Sequence, residues 1–356
     1  KKPKRKERYL MSISPNFEDI KQAYERIKGD VKKTPIVESS LLNKWMGNRI
    51  LFKAECLQTI GAFKIRGAMN FLARLKEEGR LPKHVVANSS GNHAQAVAYA
   101  AAHFGIKATI FASETISPIK AAATQSYGAE LKLFPTRPEA DAAVEQASKA
   151  PDTVWIPPFN HKDIVAGQGT ATLEALNEIG EVDAVFAPCG GGGLLSGSLL
   201  ATRALQPNAL VIGAEPAEAN DASMSLQAGE IIALDYAPNT LADGAATPSV
   251  GDVTFPILQE IDDFYEVDEL QIAYWTQWLH HLLKLHIEPT CAMTMAAVAA
   301  WAANTPPGQT ALVILSGGNI SQSSMAKIWE RDFLLQPPIL DLDDEDELEE
   351  TERVEA

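Results

Sequence analysis

A run of four glycines has a composition suited to binding an anion. Gly190 to Gly193 follow the apolar run Val182 to Ala187 and precede an apolar helical stretch that begins near Leu194. Such a loop can point several backbone N–H groups at one place, with the positive end of the helix dipole behind them, and so can hold a phosphate. The glycine patterns of dinucleotide sites and P-loops are both absent. A tightly turned connection between a strand and a helix is the alternative interpretation.

A second loop, Ser89-Ser90-Gly91-Asn92-His93, also stands between an apolar run and a helical stretch. Serine and asparagine are ordinary N-caps, so capping alone could explain any one of them. Five small or polar residues in succession exceed what one cap needs. Because the surplus N–H and hydroxyl donors suit a carboxylate, we predict a substrate anion site here.

Lys64 is the third candidate, within the segment Gly61 to Gly67. Most lysines are solvated surface residues. A partly desolvated lysine can instead lose its proton and form a Schiff base with a carbonyl compound. The lysine by itself does not decide between these interpretations.

Strands and helices that alternate along the chain must position these residues. Alternation of this kind predicts an α/β fold with open, mostly parallel sheets, whose ligands bind beyond the carboxyl ends of the strands. Both loops follow predicted strands, as does a third loop, Ser316-Gly317-Gly318-Asn319. The predicted strands are Arg49 to Lys53, Val85 to Ala87, Ala108 to Phe111, Leu131 to Phe134, Val154 to Ile156, Val182 to Ala187, Leu210 to Ala214 and Ala311 to Leu315. The predicted helices include Phe17 to Ile27, Ala94 to Phe104, Ala140 to Ala147, Gly169 to Ile179 and Leu194 to Leu205.

Size and charge limit the class of protein. A chain of 356 residues exceeds what one hydrophobic core supports, so two domains are expected. The net charge is −15, and the body between the two ends is itself acidic, which argues against nucleic-acid partners. No run approaches the roughly 18 apolar residues of a membrane span, so we expect no membrane partner. Three separated cysteines indicate a reducing compartment, and we predict a cytoplasmic protein.

The two ends of the chain carry opposite charge. Residues 1–8 hold six basic side chains, and residues 341–356 hold ten acidic ones. Blocks of like charge repel and rarely fold. We therefore predict disordered tails at 1–11 and 337–356.

The ordered set of motifs resembles the fold-type II pyridoxal-phosphate enzymes, in the branch of serine racemases and serine/threonine dehydratases. The set is Gly-x-Phe-Lys-x-Arg-Gly, Ser-Ser-Gly-Asn-His, the four glycines followed by leucine, and Ser-Gly-Gly-Asn. Ala166-Gly167-Gln168-Gly169-Thr170 and Ile287-Glu288-Pro289-Thr290 belong to it too. The resemblance runs from about Phe17 to about Trp329. It implies a fold like that of the tryptophan synthase β chain.

By resemblance, the large cofactor-binding domain comprises 12–75 and 157–336, the small domain 76–156, and the active site lies in the cleft between them. Lys64 would bind pyridoxal phosphate covalently, and Phe63 would pack against its ring. Asn92 would hydrogen-bond the ring hydroxyl, and Ser316 would face the ring nitrogen. The phosphate would be held by Gly190, Gly191, Gly192 and Gly193. The substrate carboxylate would be held by Ser89, Ser90, Gly91, Asn92 and His93. A homodimer acting on a small amino acid is the expected assembly.

The reaction implied is elimination of the β-hydroxyl of L-serine, L-threonine or a similar β-hydroxy amino acid as water, followed by hydrolysis of the resulting enamine, which yields a 2-oxo acid and ammonia. Lys64 would remove the α-proton. A racemase is the alternative, because Ser90 stands where the resemblance places an acid on the opposite face. A plain loop serine is equally compatible with the sequence. A catalytically weak regulatory or binding relative is the third possibility, and the presence of Lys64 argues against it.

A divalent cation is implied as well. Glu215, Ala219 and Asp221 match the spacing of a cation site in this branch, with two carboxylates and the carbonyl of Ala219 as ligands. Oxygen ligands of this kind suit Mg²⁺, Mn²⁺ or Ca²⁺. A solvated acidic turn is the alternative.

Two departures from the branch pattern concern the substrate. Ile60 and Ala62 stand where threonine and serine are usual, so two hydroxyls close in sequence to Lys64 are missing. We therefore expect either a substrate whose β-substituent differs from that of serine and threonine, or slow turnover.

Overall fold

The computed structural model describes residues 14–338, so the predictions for the tails fall almost entirely outside the described residues. In this range the strands are β1 (Ile36–Val37), β2 (Arg49–Ala54), β3 (His84–Asn88), β4 (Lys107–Ser113), β5 (Glu130–Phe134), β6 (Thr153–Trp155), β7 (Ala184–Pro188), β8 (Leu210–Pro216), β9 (Asp263–Val267) and β10 (Thr310–Leu315). The α-helices are α1 (Phe17–Ile27), α2 (Ser40–Met46), α3 (Lys64–Glu77), α4 (Asn92–His103), α5 (Pro118–Ser126), α6 (Arg137–Ala147), α7 (Lys162–Ile179), α8 (Gly193–Leu205), α9 (Asp221–Ala228), α10 (Phe255–Leu258), α11 (Glu269–Leu283), α12 (Pro289–Ala292), α13 (Thr294–Ala303) and α14 (Gln322–Ile328).

The strands form two sheets. One has six strands in the order β1-β2-β10-β7-β8-β9, and the other has four in the order β5-β4-β3-β6. Every pairing between neighbouring strands is parallel except β1 with β2. The α/β fold with open, mostly parallel sheets is therefore confirmed. Because the four-stranded sheet is built only from β3 to β6, the chain leaves the larger sheet after α3 and returns to it through α7.

The predicted strands are all present, with ends shifted by at most two residues. Strands β1 and β9 were not predicted, since the first has two residues and the second, at a sheet edge, has acidic residues on both sides of its two aromatic residues. Helix α7 begins at Lys162, seven residues before the predicted start at Gly169. Glycine disfavours the interior of a helix, so the glycine at 167 made the preceding turns look non-helical in the sequence.

The glycines inside α7 set the distances between helices. A Cβ atom on Gly167 would lie 2.6 Å from the carbonyl oxygen of Arg66 in α3. On the neighbouring helix α8, a Cβ atom on Gly197 would lie 2.6 Å from the backbone nitrogen of Gly169. Helix α7 is thus in close backbone contact with both helices. One of them begins at Lys64 and the other at Gly193, the last of the four glycines, so this packing holds two candidate site elements at a fixed separation.

Candidate active site

A cavity of about 710 Å³ is lined by loops that follow strands of both sheets. Its walls include Phe63 and Lys64, residues 88–93, the glycines 190–193 and Ser316. The residues predicted to bind the cofactor and the substrate therefore lie together around one cavity. The residues predicted to bind a metal ion are not part of its lining.

Lys64 is the first residue of α3, and its half-buried side chain enters this cavity. Its Nζ donates a hydrogen bond to the carbonyl oxygen of Pro158 at 2.7 Å, and it lies 5.3 Å from the ring centroid of Phe63. Burial lowers the pKa of this amine to about 8, against a smaller opposing effect of the nearby Glu288 carboxylate. A substantial fraction of Lys64 is therefore neutral near pH 8, as a nucleophile or a general base requires.

His93 is buried behind the predicted substrate loop. Its Nε2 lies 2.8 Å from the carbonyl oxygen of Ile156, so the neutral ring carries its proton on Nε2. Burial lowers the pKa of His93 to about 3, and the positive charge of Lys64 adds to this effect. His93 consequently offers no positive charge to a substrate carboxylate, and its hydrogen bond holds the loop against the segment after β6.

The loop before α4 leaves the start of that helix uncapped by any side chain. The N-cap position is Gly91, and the Ser89 hydroxyl accepts a hydrogen bond from the Gly91 N–H at 3.1 Å. The Ser90 side chain is exposed and has no hydrogen bond among residues 14–338. Ser90 therefore does not cap this helix. The N–H groups at the start of α4 remain free to bind a carboxylate.

The glycine loop before α8 could not hold other residues without a shift of its neighbours. A Cβ on Gly191 would lie 2.2 Å from the Phe159 ring, and Gly192 adopts a positive φ of 89°. No side chain caps α8, whose N-cap is Gly192. Both interpretations of the glycine run are thus compatible with the geometry, since the loop is tightly packed and also presents an open helix N-terminus to the cavity.

Buried hydroxyls without partners mark where a polar group fits. The Oγ of Ser316 and the Oγ1 of Thr247 are buried and have no hydrogen-bond partner among the described residues. Both side chains belong to residues that line the cavity. With the Lys64 amine and the uncapped α8, these groups fit pyridoxal phosphate, which carries an aldehyde, a ring nitrogen and a phosphate. The sequence offered no motif that could have identified Thr247.

Charged residues that the sequence analysis did not assign also line this cavity. Glu288 accepts hydrogen bonds from Asn92, and Lys120 forms an ion pair with Asp243 at 2.5 Å. Arg137, at the first position of α6, donates one hydrogen bond to the carbonyl oxygen of Ala246 at 3.4 Å. Lys120 and Arg137 follow strands of the four-stranded sheet, whereas their partners belong to the chain of the larger sheet. These contacts cross the cleft and could be found only from the structure.

The predicted cation site lies at the end of β8. The Glu215 carboxylate accepts hydrogen bonds from the N–H groups of Ser223 and Ala222 at 2.7 and 3.2 Å. Both carboxylate oxygens of Asp221 are buried without a partner among the described residues. Burial raises the pKa of Glu215 to about 9 and that of Asp221 to about 7. Residues 14–338 contain no cluster of three or more His, Cys, Asp or Glu side chains suited to a metal ion. The carboxylates of Glu215 and Asp221 lie close enough for the charge of Asp221 to add to the raised pKa of Glu215, and the carbonyl of Ala219 stays a ligand that only the resemblance implies.

The lowered pKa of Lys64 gives a direct test of the cavity chemistry. Labelling of the cofactor-free protein with trinitrobenzenesulfonate should reach half its maximal rate at Lys64 near pH 8, because only the neutral amine reacts. The pKa of an ordinary lysine is about 10.4. The measurement is the labelled fraction of the Lys64 peptide by mass spectrometry across pH, with Lys64→Ala as the blank. A midpoint above pH 10 would contradict the assignment.

Comparison with known proteins agrees with this geometry. The family model for pyridoxal-phosphate dependent enzymes matches residues 27–317. An L-threo-3-hydroxyaspartate ammonia-lyase of Saccharomyces cerevisiae is 40% identical over 89% of this chain and 97% of its own length. The solved structure of maize serine racemase is 34% identical, with a TM-score of 0.82 over 88% of this chain and 96% of that one. A threonine deaminase structure from Solanum lycopersicum is 30% identical, with a TM-score of 0.82 over 89% and 95% of the two chains.

None of the helices among residues 14–338 is long and apolar enough to cross a membrane.

The family match covers most of the chain, and the relatives align over nearly their whole length. The chain therefore belongs to the pyridoxal-phosphate dependent enzymes of fold type II, among the ammonia-lyases and amino-acid racemases.

Proposed function

We propose that the protein is an ammonia-lyase that converts a β-hydroxy amino acid to a 2-oxo acid and ammonia. The observation that carries this proposal is the position of Lys64, whose Nζ has a lowered pKa of about 8 in a cavity that also contains two uncapped helix N-termini. One terminus suits a phosphate and the other a carboxylate. The amine is then the base available for a substrate held at the α4 terminus.

Each group of the chain has a defined task in this reaction. Bound pyridoxal phosphate supplies the electron sink that makes the α-proton of an amino acid acidic. Lys64 removes that proton, and the N–H groups at the start of α4 hold the carboxylate. Ser316 has a neutral hydroxyl, and we assign it to the ring nitrogen. A hydroxyl there would not hold a proton on that nitrogen as a carboxylate would, and this residue choice suits elimination of the β-hydroxyl.

We further propose that the substrate carries a second carboxylate, as 3-hydroxyaspartate does. Arg137 lines the cavity, and its guanidinium has no carboxylate within 4.0 Å among the described residues. Lys120, by contrast, is already paired with Asp243. The name of the Saccharomyces cerevisiae relative supports this proposal. Ile60 and Ala62 are buried outside the cavity lining, so we assign them no direct role in selecting the β-substituent.

A substrate panel tests both proposals. The holoenzyme is incubated with L-serine, L-threonine and L-threo-3-hydroxyaspartate, and 2-oxo acid and ammonia are measured. We expect the highest kcat/KM for hydroxyaspartate, and Arg137→Ala should lower this value about 10- to 100-fold while changing that for serine little, since a hydrogen bond to a charged group contributes about 1.5–3 kcal/mol. Arg80→Ala removes an exposed arginine outside the cavity and is the matched control. Equal losses for serine and hydroxyaspartate would exclude Arg137 as the second anchor, and no oxo acid from any substrate would exclude the lyase.

A racemase is the second candidate, and the exposed Ser90 hydroxyl in the cavity favours it. If Ser90 is the acid on the opposite face, Ser90→Ala should abolish interconversion of enantiomers while elimination from the L-substrate persists, because elimination needs a base on one face only. The measurement is the ratio of racemisation to elimination in the variant and the wild type. An unchanged ratio would leave a lyase without a racemase function for Ser90.

We also propose a structural divalent cation bound by Glu215, Asp221 and the carbonyl of Ala219. Two observations support it: the unpartnered buried oxygens of Asp221, and the raised pKa values of both carboxyls, because burial makes their negative charge unfavourable. Mg²⁺, Mn²⁺ and Ca²⁺ all take oxygen ligands of this kind.

The homodimer and the cytoplasmic location remain predictions from the sequence.

Removing the cation with a chelator should lower the free energy of unfolding. The expected loss is about 2.7 kcal/mol, compared with protein in a free cation concentration of 100 times the Kd of the site. The effect should be larger at pH 8 than at pH 5. Both carboxyls have pKa values above their ordinary ones, so protons stabilise the ion-free site at low pH and this stability is lost as the pH rises through about 7 to 9. Thermal unfolding with and without EDTA measures it. Asp221→Asn should respond less, and Asp252→Asn, which changes a carboxylate outside this site, should respond like the wild type. An EDTA response of Asp221→Asn equal to that of the wild type would leave a bare acidic turn.

A further inference from the structure

A chain of side-chain hydrogen bonds crosses the floor of the cavity. Asn319 anchors it, because its Nδ2 donates to the carbonyl oxygen of Ile60 at 2.8 Å and to Oδ1 of Asn92 at 2.8 Å. The Nδ2 of Asn92 then donates to both carboxylate oxygens of Glu288, at 3.0 and 3.1 Å. We call these three side chains the Asn319–Asn92–Glu288 chain. Its members come from three distant parts of the sequence: Asn92 begins α4 on the small-sheet side, and Glu288 and Asn319 lie in loops on the large-sheet side.

The direction of these hydrogen bonds allows one orientation of the Asn92 carboxamide. Asn319 presents an N–H donor to Asn92, since the same Nδ2 is held by the Ile60 carbonyl. Ionised Glu288 can only accept. A flipped Asn92 would place its oxygen against the carboxylate and its N–H groups against those of Asn319. The carboxamide is therefore fixed with its N–H end toward Glu288.

Two glycines make room for this chain. A Cβ on Gly317 would lie 2.6 Å from Oε1 of Glu288. Gly61 has a φ of 76°, and a Cβ there would lie 2.7 Å from Oδ1 of Asn319. Both loops thus approach the chain as closely as backbone allows, and a side chain at either position would displace a member of it. The contacts of Gly317 with Glu288 and of Gly61 with Asn319 thus hold both side chains in the positions from which they bond to Asn92.

Glu288 is otherwise poorly solvated. It is 2% exposed, and Asn92 is the one side-chain donor bonded to its carboxylate among residues 14–338. The charged and titratable groups around it are Lys64, Lys120, Asp243, Cys56 and Cys291. Burial raises the pKa of Glu288 to about 7, and the Asp243 carboxylate adds to the effect. Hydrogen bonds from the Asn92 side chain and from the backbone of Asn319 oppose this rise but do not cancel it, so the burial of this carboxyl is costly to the fold.

We propose that Glu288 is a positioning residue that fixes the Asn92 carboxamide, and through it the hydroxyl side of the cofactor ring. If one N–H of Asn92 is shared between the two carboxylate oxygens of Glu288, the second N–H of the same amide is left for the group bound beside Lys64. A hydrogen bond donated to a ring oxygen favours its deprotonated form. Glu288 need not touch substrate or cofactor in this role, and the role is the same in a lyase and in a racemase.

The test measures cofactor binding and its spectrum, independently of turnover. Cofactor-free protein is titrated with pyridoxal phosphate, and the Kd and the pH midpoint of the visible band are recorded. Glu288→Ala should raise the Kd about 10-fold and shift the midpoint, because Asn92 loses the acceptor that orients it. Glu288→Gln keeps an acceptor oxygen at nearly the same place and should restore the Kd to within about threefold of the wild type.

A second background separates positioning from a structural role. In Asn92→Ala protein, Glu288→Ala should cause no further rise in Kd, since the residue through which Glu288 acts is absent. Glu269→Gln is the matched control: this carboxylate accepts hydrogen bonds from Thr240 and Leu241 outside the cavity, so the variant should lower the Tm and leave the Kd and the midpoint unchanged. Equal rises in Kd from Glu288→Ala in both backgrounds, or a Glu288→Gln variant as impaired as Glu288→Ala, would overturn the proposal. If Glu288→Ala does not fold, Glu288→Asp, which withdraws the carboxylate from Asn92, takes its place with the same expected results.

Discussion

The buried guanidinium of Arg66 is the constraint on which the position of the reactive lysine depends. Arg66 is fully buried two residues after Lys64, and it donates hydrogen bonds to Glu55 and Glu174 at 2.8 to 2.9 Å. Lys53 bonds to the same Glu174 at 2.8 Å, so two cations face two anions without net charge. Removing one partner from such a cluster costs about 3–5 kcal/mol. The start of α3 is thereby tied to β2 and to α7, and Lys64 is held at the cavity wall.

Close helix packing extends this constraint to the opposite wall. Helix α7 carries Glu174 toward Arg66 and also contacts α8 through Gly169 and Gly197. Because α8 begins at the four glycines, the distance from Lys64 to the anion site follows from backbone contact between helices rather than from side chains that can adjust. The site is therefore rigid on its large-sheet side, while its other wall is formed by loops of the four-stranded sheet.

The sequence predicted what local chemistry determines. Alternating apolar runs identified the central strands, and residues with an unusual local composition, such as Lys64 and the four glycines, were recognisable without a structure. Helix α7 was predicted too short because glycines usually disfavour a helix. In this helix the glycines allow close contact with α3 and α8, and sequence periodicity does not reveal such contacts. In the Asn319–Asn92–Glu288 chain, Asn92 is 196 residues before Glu288 and 227 residues before Asn319. Arg137 lies at the cavity because the order of strands in the four-stranded sheet brings it there. Contacts between residues so far apart cannot be predicted from a local sequence pattern. Glu288 belongs to one of the motifs on which the family resemblance rests, but the motif gave it no role.

The hydrogen bond from Lys64 to the carbonyl oxygen of Pro158 links the chemistry to the connection between the two sheets. Residues 156–161 carry the chain from β6 back to α7, and the neighbouring carbonyl of Ile156 is bonded to His93. A lysine amine that has formed a covalent bond has fewer N–H groups left to donate. A lysine in covalent bond would therefore depend less on the Pro158 carbonyl, while the crossover would stay tied to both sheets through Ile156, which bonds to Val86 and His93, and through Asn160, which bonds to Asp252 and Val253.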